Sequence, residues 1–307
     1  MRSKFPLLVL LLAAGGLLAG CGTNHHTLLS PATPGTGTSA DPTRVLQAIS
    51  LAPQVVDDGQ FDADEATTMD GAPAGSLAAT HPLRFWRTIT HVERSFEFAF
   101  ADSDTTGRPT TAIVTVHRRL TGTFNILSGV PGTDSVPMDS TLRVIRKPLD
   151  DRWVRRLLLH RRPGTDRWRI VATSAVEVTS NNAVTRILSL RVQAGVIDTT
   201  ITDPLAFFHF PRLFAVDPGS QVTLTVTTSH SDDLVFLVLR GHRFRFHDNG
   251  DGTYTGVFPM PRAAALWHAG VNALSHGTLF DDQAPYDSQA WLTPFLVRPC
   301  VIASELP

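Results

Sequence analysis

The sequence predicts a mainly β chain with two folded units, an α+β unit over residues 43–180 and a β-sandwich over residues 184–300. Three observations support this prediction. A helix signal occupies residues 43–52, long stretches from Leu83 onward alternate apolar and polar side chains, and from Phe207 shorter alternating runs are separated by turn residues about every 8–12 positions. The chain has 307 residues, 42% hydrophobic and 18% charged, a composition typical of globular proteins. Its net charge of −1 gives no indication of a nucleic-acid partner.

The start of the chain has the features of a secretory signal. Arg2 and Lys4 precede an uncharged apolar run over residues 5–18, which is too short to span a bilayer as a helix. The run ends in Leu18-Ala19-Gly20-Cys21, which resembles the lipobox of bacterial lipoproteins. This resemblance implies a signal peptide over residues 1–20 and covalent lipid on Cys21. Two or more acyl chains would anchor the protein stably in a membrane.

The residues after Cys21 bear on the location of the mature chain. Many Gram-negative lipoproteins that stay in the inner membrane have Asp directly after the lipidated Cys, whereas this chain has Gly22. In such an organism the resemblance implies a cell-envelope protein of the outer membrane. Residues 21–42 are rich in Thr, Pro, Gly and Ser, which predicts a disordered tether. The chain has two Cys, so lipid on Cys21 leaves Cys300 without an intrachain disulfide partner.

The first unit should contain a short helical part followed by about four long antiparallel strands. Asp41-Pro42 precedes Val45, Leu46 and Ile49, whose spacing indicates a helix. In the first long strand the apolar positions are mostly even and the polar positions odd. The even set is Trp86, Val92, Phe96, Phe98 and Phe100, and the odd set is Arg87, His91, Glu93, Ser95 and Glu97. A return strand is predicted over residues 112–126, and two more over residues 152–162 and 167–178.

This order of elements, with the closing run Arg167-Trp-Arg-Ile-Val-Ala-Thr-Ser174, resembles the NTF2-like fold. The resemblance implies a curved sheet that wraps a helix into a cone. That family includes both enzymes and non-catalytic binding domains, so the fold alone does not assign a function. His91, Glu93 and His117 could line a conical pocket as a general acid–base set. Strand alternation equally explains them as residues of an exposed face.

Basic residues are concentrated between positions 152 and 169. They are Arg152, Arg155, Arg156, His160, Arg161, Arg162, Arg167 and Arg169. One interpretation is a patch for anionic partners such as lipid headgroups or acidic polysaccharide. The other is a solvated sheet edge that arginines keep soluble, which the distribution of Arg over both strand faces favours.

The second unit should be an all-β sandwich of short strands. Three stretches resemble bacterial Ig-like domains of surface proteins: Pro218 to Val226, Asp248 to Phe258, and Trp267 to Ala273. The resemblance implies roles in spacing, adhesion or protein contact. The Asp248-Asn-Gly-Asp-Gly252 run does not match a calcium-binding EF-hand loop, and its Asn-Gly and Asp-Gly pairs predict a hairpin turn.

The long loop before the last strand contains one His and three Asp. His276, Asp281, Asp282 and Asp287 could offer one imidazole and several oxygen ligands to a hard cation such as calcium. Alternatively, the Asp side chains cap turns within a polar loop.

Motifs of several enzyme classes do not occur in the sequence, among them Gly-x-Ser-x-Gly, His-Glu-x-x-His and the phosphate-binding Gly-Lys-Ser/Thr loop. We therefore expect a non-catalytic envelope lipoprotein without a cofactor other than the lipid on Cys21. Its expected partners are the membrane and an envelope protein or polysaccharide. The alternative is a small-molecule binder or an enzyme that uses a pocket of the NTF2-like unit.

Overall fold

A computed structural model describes residues 41–56, 66–69, 80–129, 142–210, 214–239 and 242–298. The predicted signal peptide, the lipidation site Cys21, the tether up to residue 40 and Cys300 lie outside these ranges. Within them, no helix has the length and apolar character that crossing a membrane would require.

Helices make up a small part of the described chain. Helix α1 (Asp41–Ser50) and the short α2 (Pro53–Val56) begin it, and α3 (His276–Phe280) lies near its end. Val45 and Ile49 lie one turn apart on α1 and are both buried, which fixes the face that packs on the sheet. The predicted helix at residues 43–52 is therefore confirmed, with its start two residues earlier.

The strands form two antiparallel sheets with one short parallel pair, which confirms the mainly β prediction. The strands that precede residue 210 are β1 (Thr67–Thr68), β2 (His81–Ser103), β3 (Pro109–Gly129), β4 (Arg143–Arg161), β5 (Trp168–Ser180), β6 (Ile187–Ala194), β7 (Ile197–Ile201) and β8 (Phe207–His209). The later strands are β9 (Phe214–Val216), β10 (Gln221–Thr228), β11 (Leu234–Leu239), β12 (His242–Arg245), β13 (His247–Asp248), β14 (Thr253–Pro259), β15 (Ala265–Leu274) and β16 (Ser288–Val297).

The large sheet joins strands from both predicted units. Its order is β1-β2-β3-β4-β5-β16-β15-β11-β12, with β8 paired to β5 and β9 to β16. The junction is an antiparallel pairing of β5 with β16, in which Thr179 lies opposite Gln289. The small sheet has the order β13-β14-β10-β6-β7. Backbone hydrogen bonds therefore connect residues 43–180 directly to residues 184–300.

The large sheet curves until it nearly closes on itself. Phe85 of β2 lies edge-on to Phe236 of β11, with ring centroids 5.3 Å apart, although five strands separate β2 from β11 in the sheet order. We call the concave side the inner face. It buries α1 and α2 at one end, against Phe96, Val116 and Trp153 among others, and an aromatic cluster around Phe85 and Phe124 at the other.

The convex side, which we call the outer face, is covered over part of its width. The small sheet packs on it at β15 and β16, where Trp291 and Phe295 meet Leu190, Val222 and Val226. This apolar layer is a β-sandwich core. Over β2, β3 and β4 the outer face carries exposed and half-buried polar side chains.

An irregularity in β2 corrects one sequence prediction. The strand register shifts between Ile89 and His91, so an extra residue enters β2 and the alternation reverses. Phe85 and Arg87 before the shift, and Phe96 and Phe98 after it, therefore all point inward. The prediction that Arg87 lies on the polar, exposed face is wrong, because its side chain is buried.

Candidate functional site

The three residues proposed for a pocket, His91, Glu93 and His117, line one groove on the outer face. Strand register brings them together with two arginines. Glu93 lies opposite Arg119, which lies opposite Arg152 on β4, while Ser95 lies opposite His117. Side chains directly opposite in an antiparallel pair share a face, so these five polar side chains form one surface.

The groove has a volume of about 400 Å³ and is open to solvent. The side chains of His91 and Glu93 are 57% and 56% exposed, and that of His117 is 36% exposed. All three point away from helix α1, which lies on the inner face. The structure thus brings the proposed residues together on the convex side of the sheet rather than inside a cone.

Charges of both signs alternate across the groove. His91 Nε2 lies 3.2 Å from Glu93 Oε1, and His117 Nε2 lies 3.4 Å from Glu97 Oε2. Arg119 donates two hydrogen bonds of 2.8 Å to Asp150, and this guanidinium lowers the pKa of the Asp150 carboxyl. The Arg152 guanidinium has one longer contact, 3.5 Å from Asn181 Oδ1.

This arrangement offers donors, acceptors and both charge signs on a solvent-accessible surface. Such a surface can bind a polar partner by several hydrogen bonds and charge contacts. The imidazole–carboxylate pairs could in principle transfer protons, but catalytic sites gain much of their strength by excluding water. Side chains that are more than half exposed do not provide that exclusion.

The second proposed site, the loop with His276 and three Asp, holds its carboxylates in separate roles. The buried Asp287 carboxylate accepts from the backbone N–H groups of Val184 and Thr185, at 3.1 and 3.3 Å. Asp282 pairs with Arg143 at 3.2 Å, and Asp281 caps a turn by accepting from the Gln283 N–H. The structure therefore does not bring these groups to one point.

His276 also makes a separate contact, since its ring stacks on Phe280 with centroids 4.5 Å apart. In the described part of the chain, no three His, Cys, Asp or Glu side chains lie close enough to share an ion.

Sequence analysis did not identify a buried polar cluster on the inner face. Arg87 donates a 2.5 Å hydrogen bond to Asp151 Oδ2, and the Tyr286 hydroxyl lies 3.4 Å from the same oxygen. Burial raises the pKa of Asp151, although the positive charge of Arg87 acts in the opposite direction. Burial and the neighbouring carboxylate also raise the pKa of Tyr286.

Alternation in β4 gave a signal for this cluster. Asp151 occupies the same odd series as Trp153, Leu157 and Leu159, which are all buried. A carboxylate in that series is expected to point into the core and to need a cationic partner there.

Searches against protein-family models, curated proteins and solved structures found no significant match to this chain.

Proposed function

We propose that this chain is a lipid-anchored lipoprotein of the cell envelope that contacts a polar partner, an acidic glycan in the first instance, through the outer-face groove. The basic start, the apolar run and the lipobox-like Leu18-Ala19-Gly20-Cys21 support the anchor. The proposal makes residues 21–42 a tether and assigns the folded part a non-catalytic role.

The observation that carries the binding role is the groove itself. It lies on strands of the large sheet that the small sheet leaves uncovered, and Arg119, Arg152, His91 and His117 supply cationic or hydrogen-bonding groups. An open groove on a stiff sheet suits an extended chain such as a polysaccharide, whereas small molecules are usually enclosed over most of their surface.

The proposal extends to the two fold resemblances. Helix α1 packed in the concave side of a curved antiparallel sheet supports an NTF2-like arrangement for the first part of the chain. The apolar layer between the small sheet and β15–β16 supports an Ig-like sandwich for the second part.

Calorimetric titration with uronic-acid oligosaccharides tests the groove. In the variant Arg119→Gln/Arg152→Gln we expect at least tenfold weaker binding, because two cationic contacts are lost. The matched control is Arg84→Gln/Arg146→Gln, which removes two exposed arginines far along β2 and β4 and should leave the affinity unchanged. Equal losses in both variants, or no binding by the unmodified chain, would contradict the glycan role.

The anchor has its own test, independent of the groove. Intact-mass measurement of the membrane-extracted protein should show cleavage before Cys21 and the added mass of acyl chains. Cys21→Ser should abolish that mass and release the protein from the membrane fraction. A wild-type chain without lipid would refute the anchor while leaving the groove measurement valid.

A second candidate function follows from the 3.2 Å contact between His91 and Glu93. This pair could act as a general base on a small substrate bound in the groove. A screen of hydrolase and isomerase substrates would test this. Activity reduced about 100-fold or more by Glu93→Gln, but retained in Glu97→Gln, would favour an enzyme over a contact protein.

A further inference from the structure

The start of helix α1 is fixed between two hairpin turns. Arg108, in the β2–β3 turn, pairs with the buried Asp41 at 3.2 Å and with Asp166, in the β4–β5 turn, at 2.5 Å. Arg44 on α1 pairs with the same Asp166 at 2.9 Å. We call this end of the molecule, made of residues 104–108, 162–169 and the first turn of α1, the turn end.

The turn end carries a surplus of exposed positive charge. Arg162, Arg167 and Arg169 are exposed and form no ion pair within the described ranges. His160 lies opposite Arg169 across the β4–β5 pair, and both contribute with Arg161 and Arg162 to a cleft of about 510 Å³.

The acidic groups nearby are mostly engaged with other arginines. Asp104 pairs with Arg161 at 2.5 Å, and Asp166 is held by Arg44 and Arg108. Hydrogen bonds from Thr106 and Arg161 lower the pKa of Asp104, and the hydrogen bond from Arg108 lowers the pKa of Asp166. Both carboxylates therefore remain ionised and neutralise the arginines that they contact. Asp102 is also exposed, but its single negative charge is outnumbered by the three arginines that form no ion pair. The surface is therefore net positive.

The position of the first described residue indicates how the turn end would be oriented relative to a membrane that holds the lipid anchor. Asp41 is the first described residue and follows Cys21 by 20 positions. If those residues form a coil, they span about 25 Å on average. Strand β4, with 19 residues, extends about 60 Å from the turn end to the opposite end of the sheet. Because this span is shorter than the sheet, a lipid on Cys21 would keep the turn end closer to the bilayer than the opposite end of the large sheet.

We propose that the turn end docks on the anionic headgroups of the membrane that holds the lipid anchor, through Arg162, Arg167 and Arg169. The orientation rests on the proposed lipidation of Cys21. Basic residues beside an anionic leaflet contribute an attraction that decays within about a Debye length, so direct apposition is required. Docking would hold strands β2–β4 roughly perpendicular to the membrane and place the outer-face groove away from the bilayer.

The test uses residues 21–307 with Cys21→Ser, which retain every described element but carry no lipid. Co-sedimentation with vesicles of phosphatidylcholine alone, or mixed with phosphatidylglycerol, measures the headgroup interaction at low and physiological salt. We expect binding to the anionic vesicles only, weakening with salt. Arg162→Gln/Arg167→Gln/Arg169→Gln should weaken it on the order of 100-fold.

Two further variants test whether vesicle binding depends on where the arginines lie and on their charge, rather than on the guanidinium group itself. Arg84→Gln/Arg146→Gln/Arg245→Gln removes the same charge from exposed arginines away from the turn end and should bind like the unmodified chain. Arg162→Lys/Arg167→Lys/Arg169→Lys keeps the charge and should retain most binding, because attraction to a charged surface does not require the guanidinium geometry.

The opposite results overturn the inference. These are no binding to anionic vesicles, equal losses in both glutamine variants, or tighter binding of the turn end to soluble uronic-acid oligosaccharide than to vesicles. Because this chain lacks the lipid, any of these results leaves the intact-mass test of Cys21 unaffected. A mass test showing unmodified Cys21 would instead remove the basis for the orientation.

Discussion

The two interiors of this molecule are built differently. Between the two sheets, the sandwich core is formed by apolar side chains such as Val222, Phe258 and Phe295. The inner face of the large sheet buries Arg87, Asp151 and Lys147 beside its aromatic rings. Regular alternation is sufficient to build the first interior. The second interior also depends on specific polar pairs, because buried charges without partners are costly.

The largest expected difference between the interiors comes from the Arg87–Asp151 pair. Arg87→Met should lower the free energy of unfolding by about 3–5 kcal/mol, because Asp151 would remain buried without its cation. A buried carboxyl with a raised pKa is favoured in the folded state when protonated, so this deficit should narrow as the pH falls toward 3.8. Urea unfolding across that pH range provides the measurement. As the control in the sandwich core, Ile187→Val should cost only about 0.5–1.5 kcal/mol.

A double variant distinguishes a charge effect from a simple packing defect. Arg87→Met/Asp151→Asn removes both charges and keeps a group that can accept from the Tyr286 hydroxyl. It should be more stable than Arg87→Met alone, since no unpaired charge remains buried. Additive losses from the two substitutions would show that the pair is not coupled.

The second prediction concerns the backbone irregularity that turns Arg87 inward. Gly122 of β3 lies opposite Ile89, and a Cβ at this position would lie 1.9 Å from the Thr88 carbonyl oxygen. Gly122→Ala should therefore displace β2 and cost about 3 kcal/mol in thermal or urea unfolding. Gly270→Ala is the control, because its nearest neighbours are side-chain carbons of Leu292 and Val238 at 3.2 and 3.4 Å. Similar losses in both variants would mean that the irregularity tolerates a side chain.

Much of the fold could be predicted from local pattern. Period-two alternation located the long strands, and the helix at Val45 and Ile49 followed from spacing. Alternation alone cannot locate an inserted residue, because a single bulge reverses the phase without changing the composition. This is why Arg87 was assigned to the wrong face.

Pairing between distant strands was also beyond the sequence pattern. The contact of β5 with β16 joins segments more than 100 residues apart, and neither strand carries a local signal that specifies its neighbour. The same reason limited the candidate site. His91, Glu93 and His117 could be proposed from their residue types, whereas Arg119 and Arg152 joined the groove only through the register of β2, β3 and β4.

Lys147 provides the last and smallest test of the difference between the two interiors, because its ammonium group is buried on the inner face. Its ammonium donates to the carbonyl oxygens of Gly277 and Asp281, at 3.0 and 2.6 Å. Burial lowers the pKa of Lys147 to about 8, although the charges of Asp281 and Asp282 act in the opposite direction. Between pH 8 and the usual lysine value of about 10.4, the unfolded chain therefore binds more protons than the folded chain, and stability rises with pH.

The stability of the unmodified chain relative to Lys147→Met should increase by about 1–2 kcal/mol from pH 7.5 to pH 10. Taking this difference cancels the titration of Tyr254 and Tyr286, which both chains share. Arg146→Gln, at the exposed neighbouring position, should give a difference that does not change with pH. If the curves of the unmodified chain and Lys147→Met run parallel, the ammonium is solvated in the folded state. Hydration, rather than the two carbonyl contacts, would then stabilise the Lys147 charge on the inner face. The Arg87–Asp151 pair would remain as the buried charged group that distinguishes the inner face from the sandwich core.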